Sequence, residues 1–207
     1  MQIKRKDGIV YNRDKARGKE TIPSQTQYKH LINDLTTKKL WDAVLVVRMG
    51  CELGLARIDI VNSEIKNIDL HHPRGLWVEI SKKVKRKGKE MEMRSREIPI
   101  SPSLYGFILN YIDTDQKYIL KRKRGDIMDP FEVQKINELY DTGAVSWSPH
   151  KSRHYFRTQL KKWMRENRQF DEEVIDALMG HRPRDAKEMY GVIDWEYKQE
   201  IVDKVFE

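Results

Sequence analysis

The sequence holds a single cysteine, Cys51. No disulfide can close within the chain, and no cage of cysteine thiolates can hold zinc. Long apolar runs are missing too. The strongest, near residues 41–47, falls far short of the ~20 residues that span a bilayer. The opening Met1-Gln-Ile-Lys-Arg-Lys lacks the apolar stretch of a secretory signal. The expectation is therefore an intracellular, cytoplasmic protein or a domain of one, with no membrane partner. No motif recurs at a fixed period, which excludes a repeat array.

What the chain has in abundance is charge. Of its 207 residues, 35% are charged and 39% hydrophobic. That length suits one domain, or one domain plus a tail, with a real core. Lys plus Arg number 40 against 32 Asp plus Glu, for a net charge of +8. The pI is about 9.4. A pI above ~9 is the electrostatic footprint of a nucleic-acid binder, so the first partner to consider is a phosphate polymer.

Residues 1–20 are polar and basic with little periodicity, and read as a linker or loose tail. Residues 21–207 read as the folded domain. Ser24 is a candidate N-cap for a helix carrying Tyr28, Leu31, Ile32 and Leu35. A second helix is predicted over about 38–53, ended or bent by Gly54, and a short third over 58–65. From Ile68 the pattern changes. Residues 76–80 and 97–100 are rich in strand formers and predict a small antiparallel sheet. Residues 82–96 between them carry eight Lys or Arg around Gly88, the pattern of a long basic hairpin tip. Helices are predicted again at 102–112, 130–140 and through most of 148–206. The fold class is mainly α with a small antiparallel β-sheet, α+β.

The most informative stretch is Ser148-Pro149-His150-Lys151-Ser152-Arg153-His154. Ser148 can cap a helix and Pro149 suits its first position. His150 and Arg153 then lie three apart on one helical face, a proton-transfer group beside a planar anion clamp. Leu178-Met179-Gly180-His181 follows, and Tyr190 comes nine residues after His181. The order H-x-x-R, L-x-G-H and a tyrosine at that interval resembles the catalytic domain of tyrosine recombinases, the lambda-type phage integrases and Xer-like proteins. Upstream, "ELGLARIDIV" resembles the segment that supplies the family's first arginine and offers Arg57, although Ala56 interrupts the pattern. Arg48 is the alternative. "GLWVEISKK" and "REIPIS" resemble the strands flanking the family's lysine hairpin. Lys82 at the end of the first strand is the choice for that lysine, with Lys83, Lys85 and Lys87 as alternatives.

The resemblance implies a mechanism. Tyr190, a side chain with an ordinary pKa of ~10, would attack a DNA phosphodiester to leave a 3′-phosphotyrosine and a free 5′ hydroxyl. Arg57 and Arg153 would grip the non-bridging oxygens. Lys82 would deliver a proton to the leaving oxygen, and His150 would do acid–base work near Tyr190 or its phosphate. His181 would donate to a phosphate oxygen. Rejoining conserves the bond energy, so neither ATP nor a metal cofactor is implied. The partners implied are double-stranded DNA and further copies of the chain, a homo-tetramer on two duplexes joined through the C-terminal segment. A prokaryotic, viral or mobile-element origin follows from the same resemblance.

Two departures stand out. Arg153 and His181 are farther apart than the family commonly shows, with extra residues around 162–171. The family usually has a separate N-terminal core-binding domain, and the expectation is a chain without one, either a catalytic fragment or a naturally short protein. Among the basic groups, Lys83, Lys85, Arg86, Lys87, Arg122 and Arg124 are candidates for DNA contact. Tyr197 is a remote alternative nucleophile. Residues 195–206 are amphipathic, and either pack on their own domain or dock on a neighbouring protomer. His154 packs or faces solvent. His71-His72 precede Pro73 in a loop without acidic or cysteine partners at metal-ligand spacing. Rival functions are a type IB topoisomerase and a non-cutting DNA-binding regulator that keeps the fold. A metal-dependent nuclease would need paired carboxylates near the motif, and none sit at a suitable spacing.

Overall fold

The computed structural model describes residues 2–4, 10–12, 22–80, 94–113, 115–121, 147–181 and 193–207. The chain starts with two short strands, β1 (Gln2–Lys4) and β2 (Val10–Asn12), paired antiparallel with Ile3 opposite Tyr11. The sequence reading expected no strand in this polar tail. Ile3, Val10 and Tyr11 are strand-forming residues among the charges, and they suffice for a local hairpin.

Helix α1 (Gln25–Thr37) begins as expected at Ser24. The Ser24 hydroxyl accepts from the Gln27 N–H at 3.2 Å, and the Gln27 side chain accepts from the Ser24 N–H at 2.8 Å. This reciprocal cap satisfies two otherwise orphaned donors. Leu31 and Leu35 form its buried stripe. Helix α2 (Trp41–Glu52) is apolar nearly all round, with Ala43 to Val47 buried in succession. Such a helix belongs in the middle of a core, and α2 touches α1, α3 (Arg57–Asn62), α4 (Pro102–Tyr111) and α5 (Pro149–Glu166).

Gly54 turns the chain out of α2 with φ +61°, a left-handed conformation that only glycine adopts freely. Helix α3 (Arg57–Asn62) follows, and Ser63 stops it short of the expected end at 65. A 3-10 turn, Ile65–Asn67, leads to strand β3 (Gly75–Ile80). β3 pairs antiparallel with β4 (Arg94–Pro99), with Val78 opposite Arg96 and Leu76 opposite Ile98. Alternation buries Leu76, Val78 and Ile98 on the inner face. β4 starts earlier than the sequence reading allowed. Arg96, expected in the basic hairpin tip, is an inward-facing strand residue and is buried.

After α4, residues 115–121 run back to the α3 turn, where the Ile119 N–H donates to the Ser63 carbonyl at 2.9 Å and Ile119 is buried. Helix α5 is capped by Ser148, whose hydroxyl accepts from the Lys151 N–H at 3.2 Å, and Pro149 opens it. The extra residues expected near 162–171 extend α5 to Glu166 and form a turn with Arg168 at φ 56°. Asp171 then caps α6 (Glu172–Met179), accepting from the Glu173 and Val174 N–H groups. Helix α7 (Trp195–Phe206) ends the chain. Two cores result. One gathers α1, α2, β3, β4 and α4. The other is made by Phe156, Leu160, Met164, Val174, Ile175, Leu178, Ile201 and Val202 of α5, α6 and α7. The fold class is mainly α with small antiparallel sheets, as predicted. The helix expected at 130–140 lies outside the described residues.

α7 packs on its own domain. Ile201 and Val202 are buried. Arg74 donates to both Asp203 oxygens at 2.9 and 2.7 Å. Phe206 stacks on Phe156 with centroids 5.5 Å apart. His72 stacks on Trp195 at 4.4 Å, and its Nδ1 lies 2.7 Å from Glu97 Oε2. Tyr197 packs against the second core. Among the described residues no helix is long and apolar enough to cross a membrane.

Candidate active site

The site starts at the first turns of α5. The Trp147 indole N–H donates to the buried Ser152 hydroxyl at 2.7 Å, which fixes where this helix begins. His150 is then exposed, with its Nε2 2.9 Å from the Nε2 of His154. One turn on, Arg153 is half-buried and crosses between two other elements. Its Nη2 donates to the Met179 carbonyl at 2.6 Å, and its Nη1 donates to the Gly54 carbonyl. Burial lowers its pKa, while the Asp59 carboxylate acts in the opposite sense. The guanidinium is a cation at neutral pH.

Those two bonds join three separated sequence motifs. Gly54 precedes Arg57, and Met179 precedes Gly180-His181. Gly180 closes α6 in the left-handed conformation, φ 66°, and the His181 N–H donates back to the Asp176 carbonyl at 2.8 Å. His181 Nδ1 lies 2.9 Å from Asp176 Oδ1. A carboxylate only accepts, so Nδ1 carries the proton in this pair, and Nε2 is left for another partner. The His181 side chain is 39% exposed.

A second guanidinium enters from the sheet. Arg96 Nη1 donates to the Leu178 carbonyl and Nη2 to the Gly54 carbonyl at 3.3 Å. It is only 8% exposed. Burial first, then the charge of Arg153, lowers its pKa; Asp59 opposes both. The carbonyl end of α6 thus receives two cations, on Leu178 and on Met179, which suits the negative pole of a helix. The sequence reading missed this residue as part of the site. The available signal was alternation, since Arg96 shares a strand face with Ile98 while Ser95 and Glu97 take the other.

Arg57 opens α3, half-buried, three residues after Gly54. No hydrogen bond or ion pair engages its side chain among the described residues. Arg48, the alternative, is committed elsewhere. Its Nε and Nη2 donate to the two Glu52 oxygens at 2.6 and 3.1 Å, and Nη2 also reaches the Ser103 hydroxyl at 3.1 Å. Lys82, Tyr190, Lys83, Lys85, Arg86, Lys87, Arg122 and Arg124 lie outside the described residues. Among the described residues no three His, Cys, Asp or Glu side chains gather to hold a metal ion.

The structure is similar to several solved proteins. XerA recombinase aligns over 90% of this chain and 65% of its own, with a TM-score of 0.57 at 18% identity. The integrase of mycobacterium phage Brujita aligns over 90% of this chain and 59% of its own, with a TM-score of 0.64 at 15% identity. This is the tyrosine recombinase fold. The integrase of the Tn1549 transposon, solved with transposon right-end DNA, aligns over 94% of this chain and 70% of its own, at TM-score 0.56 and 13% identity. The chain therefore spans about three fifths to two thirds of the first two recombinases. No protein-family model matches the sequence, and no curated protein matches it either. In the recombinase fold seen here, the H-x-x-R helix, the turn after α2 and the L-x-G-H turn meet at Arg153.

Proposed function

We propose that the chain is the catalytic domain of a site-specific DNA recombinase or integrase. It would cut and rejoin strands through a 3′-phosphotyrosyl link. One observation carries this reading: Arg153 hydrogen-bonds the carbonyls of Gly54 and Met179, so the motifs bearing Arg57, His150 and His181 share one side-chain hub. Motifs that merely resembled a family by chance would have no reason to converge.

In this reading Tyr190 Oη attacks the scissile phosphorus and the bond from phosphorus to the 5′ oxygen breaks. The tyrosine proton passes to His150 or to water, and Lys82 protonates the departing oxygen. Arg57, Arg153 and His181 hold the negative charge that builds on the phosphoryl oxygens. Removing one such preorganised donor typically costs ~10²–10³ in rate. Side chains do all the charge work, so the reaction proposed needs neither metal nor nucleotide. The DNA partner is engaged further by Lys83, Lys85, Arg86, Lys87, Arg122 and Arg124. A tetramer on two duplexes would require α7 to exchange its own domain for a neighbour's.

The test traps the intermediate. The protein is incubated with a pool of nicked duplexes of random sequence, denatured, and assayed for covalently bound DNA. Wild type should yield adducts in EDTA, and Tyr190→Phe none. Adducts from Tyr190→Phe would move the nucleophile elsewhere, and no adduct from wild type would remove the reading. Site-independent relaxation of supercoiled plasmid by a monomer would make the chain a topoisomerase instead.

A further inference from the structure

Arg96 occupies a position where the fold calls for an apolar side chain. Its neighbours on the inner face of the sheet are Leu76, Val78 and Ile98, all buried. Taking a cation out of water costs several kcal/mol, so a buried charge ordinarily has a bonded carboxylate. Arg96 has none. Its hydrogen bonds go to two neutral carbonyls, Gly54 and Leu178, and its Nε has no partner.

The surroundings make the deficit worse. Arg153 bonds the same Gly54 carbonyl, so two guanidiniums crowd one oxygen. The nearby counter-charge is Asp59, buried, with Oδ2 accepting from the Ala56 N–H at 3.2 Å and Oδ1 unpaired. Among the described residues two cations face one carboxylate, which leaves their charges unbalanced. An anion held between the guanidiniums would relieve their repulsion and repay the burial of both.

We propose that Arg96 is a further phosphate-binding residue: together with Arg153 it forms a buried two-guanidinium cradle for a backbone phosphate of DNA. The choice of phosphate rests on the strand-transfer reading above. A planar fork matches two phosphoryl oxygens at once, and the Gly54 turn holds both forks at one point. The competing explanation is mechanical, with Arg96 only tying the end of α6 to the α2–α3 turn. Neutral N–H donors would serve that purpose equally well.

The test separates charge from tethering by comparing wild type with Arg96→Gln and Arg96→Lys. Glutamine keeps neutral donors; lysine keeps the cation. Thermal unfolding of the full chain is followed while inorganic phosphate replaces chloride at constant ionic strength. The proposal expects a phosphate-dependent rise in Tm for wild type and for Arg96→Lys. For Arg96→Gln the apparent phosphate Kd should rise about tenfold or more. On a non-specific duplex, the slope of log K against log salt should also become shallower by about 0.9 for Arg96→Gln. A wild type indifferent to phosphate overturns the proposal, as does an Arg96→Gln protein that responds like wild type. Should Arg96→Gln fail to fold, the lysine variant decides: a retained response supports the cradle, and a lost one refutes it. Tyr190→Phe should keep the phosphate response, so a failed cradle and a failed nucleophile give different results.

Discussion

Arg96 and Arg153 reach the carbonyl oxygen of Gly54 from different elements, one from β4 and one from α5. That oxygen belongs to a residue at φ +61°, in the turn between α2 and α3. A backbone carbonyl in a regular helix is already spoken for by an N–H four residues on. Breaking the helix at Gly54 frees this one to take two guanidiniums. The turn is thus the joint at which sheet, H-x-x-R helix and L-x-G-H turn are held in register.

Gly54→Ala should be strongly destabilising. A Cβ at this position would lie 2.5 Å from Phe156 Cδ1, deep in the second core, and the left-handed backbone penalises any side chain. Strain and overpacking together should cost about 2–5 kcal/mol. Urea unfolding should show a lower midpoint, with the m-value unchanged. A variant as stable as wild type would mean that Phe156 yields freely.

Arg48 and Arg57 should separate cleanly. Arg48→Met strands the buried Glu52 carboxylate, which among the described residues keeps only Tyr28 and Ser101 as partners, and should cost about 3 kcal/mol of stability. Molecules that remain folded should cleave DNA at the wild-type rate. Arg57→Ala should leave the unfolding curve nearly unmoved and lower adduct formation by ~10²–10³. The reverse pattern would make Arg48 the phosphate-binding arginine.

The joint between α5 and α6 should weaken in acid. Glu172 accepts from Arg157 at 2.6 Å and pairs with Lys161 at 2.9 Å. The hydrogen bond from Lys161 is the largest cause lowering its pKa, desolvation opposes it, and Arg157 adds to the lowering. A carboxylate with a depressed folded pKa contributes stability above its unfolded value of ~4.3, and that stability is lost as pH falls through the folded value. Glu172→Gln should therefore cost a few tenths to about 1 kcal/mol at pH 7, as exposed pairs do. The difference from wild type should shrink as pH falls below ~4.3 and vanish once Glu172 is protonated in the folded protein. A difference that persists there would point to packing rather than charge.

α7 should be held in place by Arg74. Its two bonds to Asp203 are partly buried, and Arg74→Ala should cost about 1–2 kcal/mol. Hydrogen exchange across Trp195–Phe206 should rise while the helices of the first core stay protected. If α7 stayed equally protected, Ile201, Val202 and Phe206 alone would suffice to dock it.

Much of this was legible in the chain itself, for local reasons. Ser24, Ser148, Pro149 and Gly54 act within a few residues of themselves, so caps and breaks could be read directly. The spacing of His150 and Arg153 on one helix, and the nine residues from His181 to Tyr190, are properties of the sequence alone. The strand pairing around the basic hairpin was visible in Leu76 to Ile80.

What tertiary structure decided was who meets whom. Arg48 and Glu52 stand four apart on α2, so their pairing is local, but only the fold brings Arg48 to the Ser103 hydroxyl of α4. α7 was equally suited to its own domain or a neighbour's, because amphipathicity states that a face is apolar without naming what covers it. Arg96 is the sharpest case. Its composition places it among the charges of a solvated hairpin, whereas β4 carries it inward to the carbonyls of Gly54 and Leu178. Those partners lie 42 and 82 residues away. No local propensity encodes a contact at such separation; it exists only once the two cores have closed on each other.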